Sequence, residues 1–155
     1  MSNLLGPVTR AGYVAFLRRA GINSIVLPDD SFSIDLSLKI SEDIVSLWLE
    51  YISCDIYTLA VYNLATDRLI HFQQDNPILP DPQNKFWTNL RKDFSINAFI
   101  AGVIRESHDE STGQSIEVPD SLKNLSLLDL QTLQTSFGRA YMAYAQQIGS
   151  LWGLS

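Results

Sequence analysis

The sequence predicts a mainly α protein: a compact helical bundle of about five helices with one β-hairpin and an extended C-terminal arm. Three observations carry that expectation. Apolar residues recur at helical spacing through most of the 155 residues, one polar-centred stretch at about 103–119 is written like a hairpin, and an apolar segment follows the last helical pattern. The length suits one domain with a single core. We therefore divide the chain into a helical domain over 1–148, with its hairpin at about 103–119, and an arm over 149–155.

Thr9 can cap a first helix that runs to about Ala20, with Tyr13, Phe16, Leu17 and Ala20 on one face and Gly21 as its stop. Arg10, Arg18 and Arg19 then face solvent or a partner. Ile25 to Leu27 reads as a short extended piece before the turn at Pro28. Ser33 to Lys39 alternates apolar and polar residues, as a brief strand or an ordered loop would. Ser41, followed by Glu42 and Asp43, opens a second helix with Ile44, Leu47, Trp48 and Tyr51 as its apolar stripe, and a break is expected near Ser53 and Cys54.

From Asp55 to about Gln73 a third helix carries apolar residues nearly all round its axis, which places it at the centre of the fold, or at the centre and in a subunit interface. Pro77, Pro80 and Pro82 break the pattern into a loop. Helix resumes near Lys85 with Phe86, Trp87, Leu90 and Phe94. Ser126 and Asp129 form a capping box for a short helix through Leu133. Thr135 caps the last helix, in which Phe137, Tyr141, Tyr144 and Ile148 share a face and Gly149 closes it.

Composition narrows the function. The net charge of −6 and the pI near 4.7 have the wrong sign for a general nucleic-acid binder. No apolar run reaches the roughly 20 residues that a bilayer helix needs, so no membrane role is expected. The first residues lack a basic region followed by an apolar stretch, which predicts no secretory signal and synthesis in a cytosol. A lone Cys54 excludes an internal disulfide and a cysteine-based metal cluster.

Glycine-rich phosphate loops, paired zinc histidines and nucleophile elbows are all absent, and the reading is non-enzymatic with no cofactor. His71 on an apolar helix reads as structural. His108 with Asp109 and Glu110 could suggest a divalent metal, but a solvated hairpin tip accounts for the same residues. Asp67 and Arg68 point about 100° apart on a helix and so belong to two separate pairs. Leu151-Trp152-Gly153-Leu154-Ser155 is the most unusual feature, since a large aromatic left in water is unfavourable by roughly 25 cal/mol per Å². It packs either on its own bundle or into another subunit.

The segment Ala60-Val61-Tyr62-Asn63-Leu64-Ala65-Thr66-Asp67-Arg68-Leu69-Ile70, with Phe86-Trp87, Leu90-Arg91, Phe99, Ala101-Gly102-Val103, Ser107, Asp109 to Thr112, Asn124-Leu125, Asp129 to Gln131, Gly138 to Tyr141, Ala145-Gln146 and the ending Leu151 to Ser155, resembles the head-to-tail adaptor, or head completion (neck connector), family of tailed bacteriophages. The similarity covers about the C-terminal two-thirds, and the order of segments is its specific part. Phe137 after Ser136 departs from the Pro-Trp expected there.

The resemblance implies a virion structural protein at the neck, made in the host cytoplasm, that forms a homo-oligomeric, dodecameric ring. Such a ring docks on the portal, joins head to tail through a tail or further neck protein, and lines a channel through which DNA passes without sequence-specific binding. On that reading Leu151, Trp152, Gly153, Leu154 and Ser155 form a portal or subunit interface. Arg105, His108, Asp109, Glu110 and Thr112 form a hairpin interface, and Arg10, Arg18 and Arg19 a possible partner face. Two other classes stay open: a small helical regulatory or DNA-binding protein using those three arginines, and a metal-dependent enzyme using His108, Asp109 and Glu110.

Overall fold

Helices are the only regular elements among the described residues, 5–96 and 127–148, of the computed structural model. They are α1 (Arg10–Arg19), α2 (Phe32–Ile44), α3 (Trp48–Ile52), α4 (Cys54–Phe72), α5 (Phe86–Asp93), α6 (Leu127–Thr132) and α7 (Ser136–Ala145), with 3₁₀ turns at Gln83–Lys85 and Gln146–Ile148. The mainly α expectation holds, with seven α-helices among the described residues where about five were expected. The hairpin at about 103–119 lies outside the described residues, as does the arm.

Helix α4 is the axis of the fold, and α7, α2 and α3 pack around it. Its burial follows from its sequence. From Ala60 to Ile70 every residue except Arg68 is buried, because apolar or small side chains occupy all faces of the turn. Ser53, in extended conformation, caps the helix by accepting from the Ile56 amide at 3.5 Å, and so sets the break expected near Cys54.

Helix α1 begins and ends as its sequence directs. The Thr9 hydroxyl accepts from the Gly12 amide at 3.1 Å, and Tyr13 and Leu17 are wholly buried. At the other end Gly21 takes φ +90°, a conformation that costs glycine little. The Ile22 and Gly21 amides then donate back to Leu17 and Arg18 at 3.1 and 3.2 Å, which is a Schellman cap with Ile22 buried behind it. A second tie fixes α1 to the axis: the Tyr62 hydroxyl accepts from the Thr9 amide and donates to the Thr9 carbonyl, both at 3.1 Å.

Two expectations for residues 25–52 are corrected. Ile25 to Leu27 is not extended. It is a turn, held by Asn23, whose side-chain oxygen accepts from the amides of Ile25 and Val26. Ser33 to Lys39 is not a strand but the first half of α2, which starts at Ser31 rather than Ser41. The buried row of α2 is Ile34, Ser37, Leu38 and Ser41, at helical spacing. Two of those four are serines, so the apolar count alone favoured alternation. Ser37 is accommodated because its hydroxyl donates to the Ile34 carbonyl at 3.1 Å and lies 3.3 Å from the Tyr13 hydroxyl.

The proline-rich loop leads into α5 as expected, and Asp75 anchors it. Its carboxylate accepts from the amides of Trp87 and Thr88 and from the Thr88 hydroxyl, capping a helix whose Trp87 is almost fully buried. Arg91 on the same helix donates to the carbonyls of Ile70 and Gln73, at the open end of α4. Beyond α5 only Ile96, which is buried, is described from the apolar group around Phe99.

Candidate assembly surface

The largest departure from the sequence expectation is also the most conspicuous surface feature. Ile44, Leu47, Trp48 and Tyr51 were expected to form the apolar stripe of one continuous helix opened by Ser41. The helix instead ends at Ile44, and its C-cap, Val45, is extended with ψ 127°. Ser46 then restarts the chain, its hydroxyl accepting from the Trp48 amide at 3.3 Å. This break rotates a different row inward: Val45 and Leu49 enter the core, and Leu49 is wholly buried.

The displaced row faces water. Leu47 is 61% exposed, Trp48 68% and Tyr51 83%, with Ile44 and Ile52 about half exposed. The Trp48 and Tyr51 rings lie 5.5 Å apart between centroids with their planes tilted by 48°, so the two form one apolar knob. An open hollow beside it is lined by Ile44, Val45, Leu47 and Trp48 with Lys39, Glu42 and Asp43. Glu50 adds to the acidic rim, while Lys39 pairs with Asp43 at 3.1 Å. A contiguous group of large apolar side chains within a charged rim is the usual form of a protein–protein surface. The signal for it was present in the sequence, since residues 44–52 carry more large apolar side chains than a five-residue helix with one buried position can hide.

The three arginines of α1 do not form one free face. Arg10 pairs with Asp35 of α2 at 2.5 Å. Arg18 folds back to donate to the carbonyls of Ile22 and Leu27 at 2.6 and 2.7 Å and pairs with Asp29, so it braces the turn after α1. Arg19 is exposed. The remaining sites expected from the sequence, Arg105, His108, Asp109, Glu110 and Thr112 of the hairpin and Leu151 to Ser155 of the arm, lie outside the described residues. Among the described residues no group of three metal-ligating side chains comes together, and no helix is long and apolar enough to cross a membrane.

A second cluster joins α4 to the α6–α7 corner. Asp67 has no exposed surface, and its Oδ1 accepts from the Thr135 hydroxyl at 2.5 Å. His71 lies 3.7 Å from the same carboxylate oxygen, donates through Nδ1 to the Asp67 carbonyl at 2.8 Å, and places Nε2 3.3 Å from Gln134. Arg68 turns away from Asp67 and donates to Thr132 at 3.1 Å, giving the two separate pairs expected. Burial raises the Asp67 pKa above the ordinary carboxylate value, although Thr135 and the nearby His71 and Arg68 oppose it. Asp67 Oδ2 has no hydrogen-bond partner among the described residues. With its carboxylate sealed from solvent, the cluster works as a latch that holds α7 on α4.

No known protein family matches the chain, and neither a curated protein nor a solved structure shows significant similarity to it.

Proposed function

We propose that this chain is a structural subunit of a phage neck, which assembles as a ring on the portal and connects head to tail around the DNA channel. The observation that carries the reading is the exposed knob of Trp48 and Tyr51 on α3. Two rings of this size left mostly in water forgo about 5–8 kcal/mol of burial, which a partner surface would recover in part. Large aromatics at the centre of a charged rim are the usual anchors of a protein interface.

The chemistry of the rest agrees with assembly rather than turnover. The buried Asp67 has no contact with solvent, the two ion-paired arginines of α1 are spent on the fold, and the net charge of −6 suits a wall that DNA slides past. Head-to-tail contacts between copies close into rings, and they need two different complementary patches. The α2–α3 knob is one such patch, and the apolar arm over 149–155 supplies a second.

Electron micrographs of the chain mixed with its portal test the reading. The native chain is expected to add a ring to the portal. The double variant Trp48→Glu, Tyr51→Glu is expected to fold and to add none. Rings of normal appearance from that variant would refute it.

A further inference from the structure

Helix α2 turns Ile34, Ser37, Leu38 and Ser41 inward and leaves a second row, Phe32, Leu36, Ile40 and Ile44, outside. Phe32 is 74% exposed, Leu36 and Ile40 38% each, and Ile44 45%. Their spacing of four residues makes them one continuous ridge along the helix. Asp35, Lys39 and Asp43 each precede a member of that ridge, so a charged row of alternating sign runs beside it. At its far end the ridge meets the knob on α3, since Ile44 borders the same hollow as Leu47 and Trp48.

Size argues for a cover. Ridge and knob together leave on the order of 800 Å² of large apolar residues in water, above the roughly 300–600 Å² of the largest patch on a typical monomer. A standard interface takes about 800 Å² from each partner, and slightly over half of that area is apolar. The ridge of α2, with roughly 400 Å² exposed and a charged row at its side, has that size and composition.

The pattern names the occupant. A ridge of i, i+4 side chains fits between the same ridge of an identical helix at a crossing angle of about −50°, the commonest way two helices pack. A two-fold axis through Ile40 sets Leu36 of each copy against Ile44 of the other. The charged rows then run antiparallel, and Lys39 of one copy comes beside Asp43 of the other, so a row of alternating sign meets its own reverse. The ion pairs that hold this row within one chain, Arg10 with Asp35 and Lys39 with Asp43, are solvent-exposed, and their exchange for pairs between copies costs little.

We infer that α2 is the contact of a symmetric homodimer of the free chain, in which two copies pack ridge against ridge through Phe32, Leu36, Ile40 and Ile44. This goes beyond the neck reading. A two-fold contact closes at two copies, whereas a ring grows through head-to-tail contacts, so the dimer is a form of the chain outside the ring.

Sedimentation velocity of the full chain over a range of concentrations tests the inference. The native chain is expected to pass reversibly from monomer to dimer. Leu36→Glu, Ile40→Glu is expected to weaken that association by more than about tenfold, with the circular dichroism unchanged. A second pair of variants guards against a change in folding. Ile40→Glu and Ile40→Lys, each largely monomeric alone, are expected to form a mixed dimer when combined, because the two-fold axis brings position 40 against itself. A native chain that stays monomeric, a dimer that survives the double variant, or a mixture of the two Ile40 variants that gains no dimer would each overturn the inference. So would growth past two copies that the double variant abolishes. Those outcomes leave the neck reading standing, because it fails separately, through rings formed by the Trp48→Glu, Tyr51→Glu variant.

Discussion

The Thr135 hydroxyl donates to Asp67 Oδ1 at 2.5 Å and accepts from the Gly138 amide at 2.9 Å, so one side chain both caps α7 and fastens it to the central helix. Gly138 completes the joint. A methyl group at that position would overlap the carbonyl oxygen of Thr132 and crowd Asp67 Oδ1. Since the obstacle is backbone, it cannot swing aside.

Gly138→Ala is therefore expected to be severely destabilising, by about 3 kcal/mol or more, as overpacking against a fixed backbone is. Thr135→Val, which keeps the shape but removes both hydrogen bonds, is expected to cost about 2–3 kcal/mol. Urea unfolding followed by circular dichroism measures both. A Gly138→Ala chain as stable as the native one would show that the corner is looser than described.

The buried Asp67 gives stability a definite slope with pH. Its folded pKa is raised, so the folded state holds the proton more tightly than the unfolded chain. The contribution is then fully present below about pH 4, the unfolded value, and is lost as pH rises through the folded value. Asp67→Asn keeps the acceptor for Thr135 and has no charge to bury. It is expected to gain stability relative to the native chain as pH rises from acid to neutral, and a difference that stays flat with pH would contradict the assignment.

Asp75 slopes the other way. Burial works to raise its pKa, but the hydrogen bonds from the Thr88 hydroxyl and the Thr88 and Trp87 amides, with Arg91 nearby, outweigh it and leave the carboxylate below its ordinary value. Its contribution is present above the unfolded value, about pH 4, and is lost as pH falls through the folded one. Asp75→Ala is expected to cost about 1 kcal/mol at neutral pH, as loss of a helix cap does, and less in acid. Thermal unfolding at the two pH values measures the difference.

Tyr62→Phe removes a hydroxyl that both accepts from and donates to Thr9, and it leaves the buried ring in place. A loss of about 1–2 kcal/mol is expected. Hydrogen exchange should show the Thr9 amide opening first, ahead of α4. Uniform acceleration across the core would argue that the ring and not the hydroxyl sets the contact.

Much of this fold was legible because its determinants are local. Thr9, Gly21, Ser53 and Thr135 cap or stop helices through hydrogen bonds within a few residues of themselves, and α4 announces its central place by carrying apolar groups on every face. What the chain by itself did not reveal is which of two apolar rows in residues 44–52 turns inward. Val45 and Leu49 lie on one side of the backbone and Trp48 and Tyr51 on the other, and either could have met α4. Packing chose the slimmer row, which fits beneath α3, and left the two rings outside. In α2 the same competition had the same outcome, as Ser37 and Ser41 went in and Phe32 stayed out. Local sequence thus determined where helices start and stop, while the choice of buried face, and with it the candidate assembly surface, depended on the volume available between elements distant in the chain.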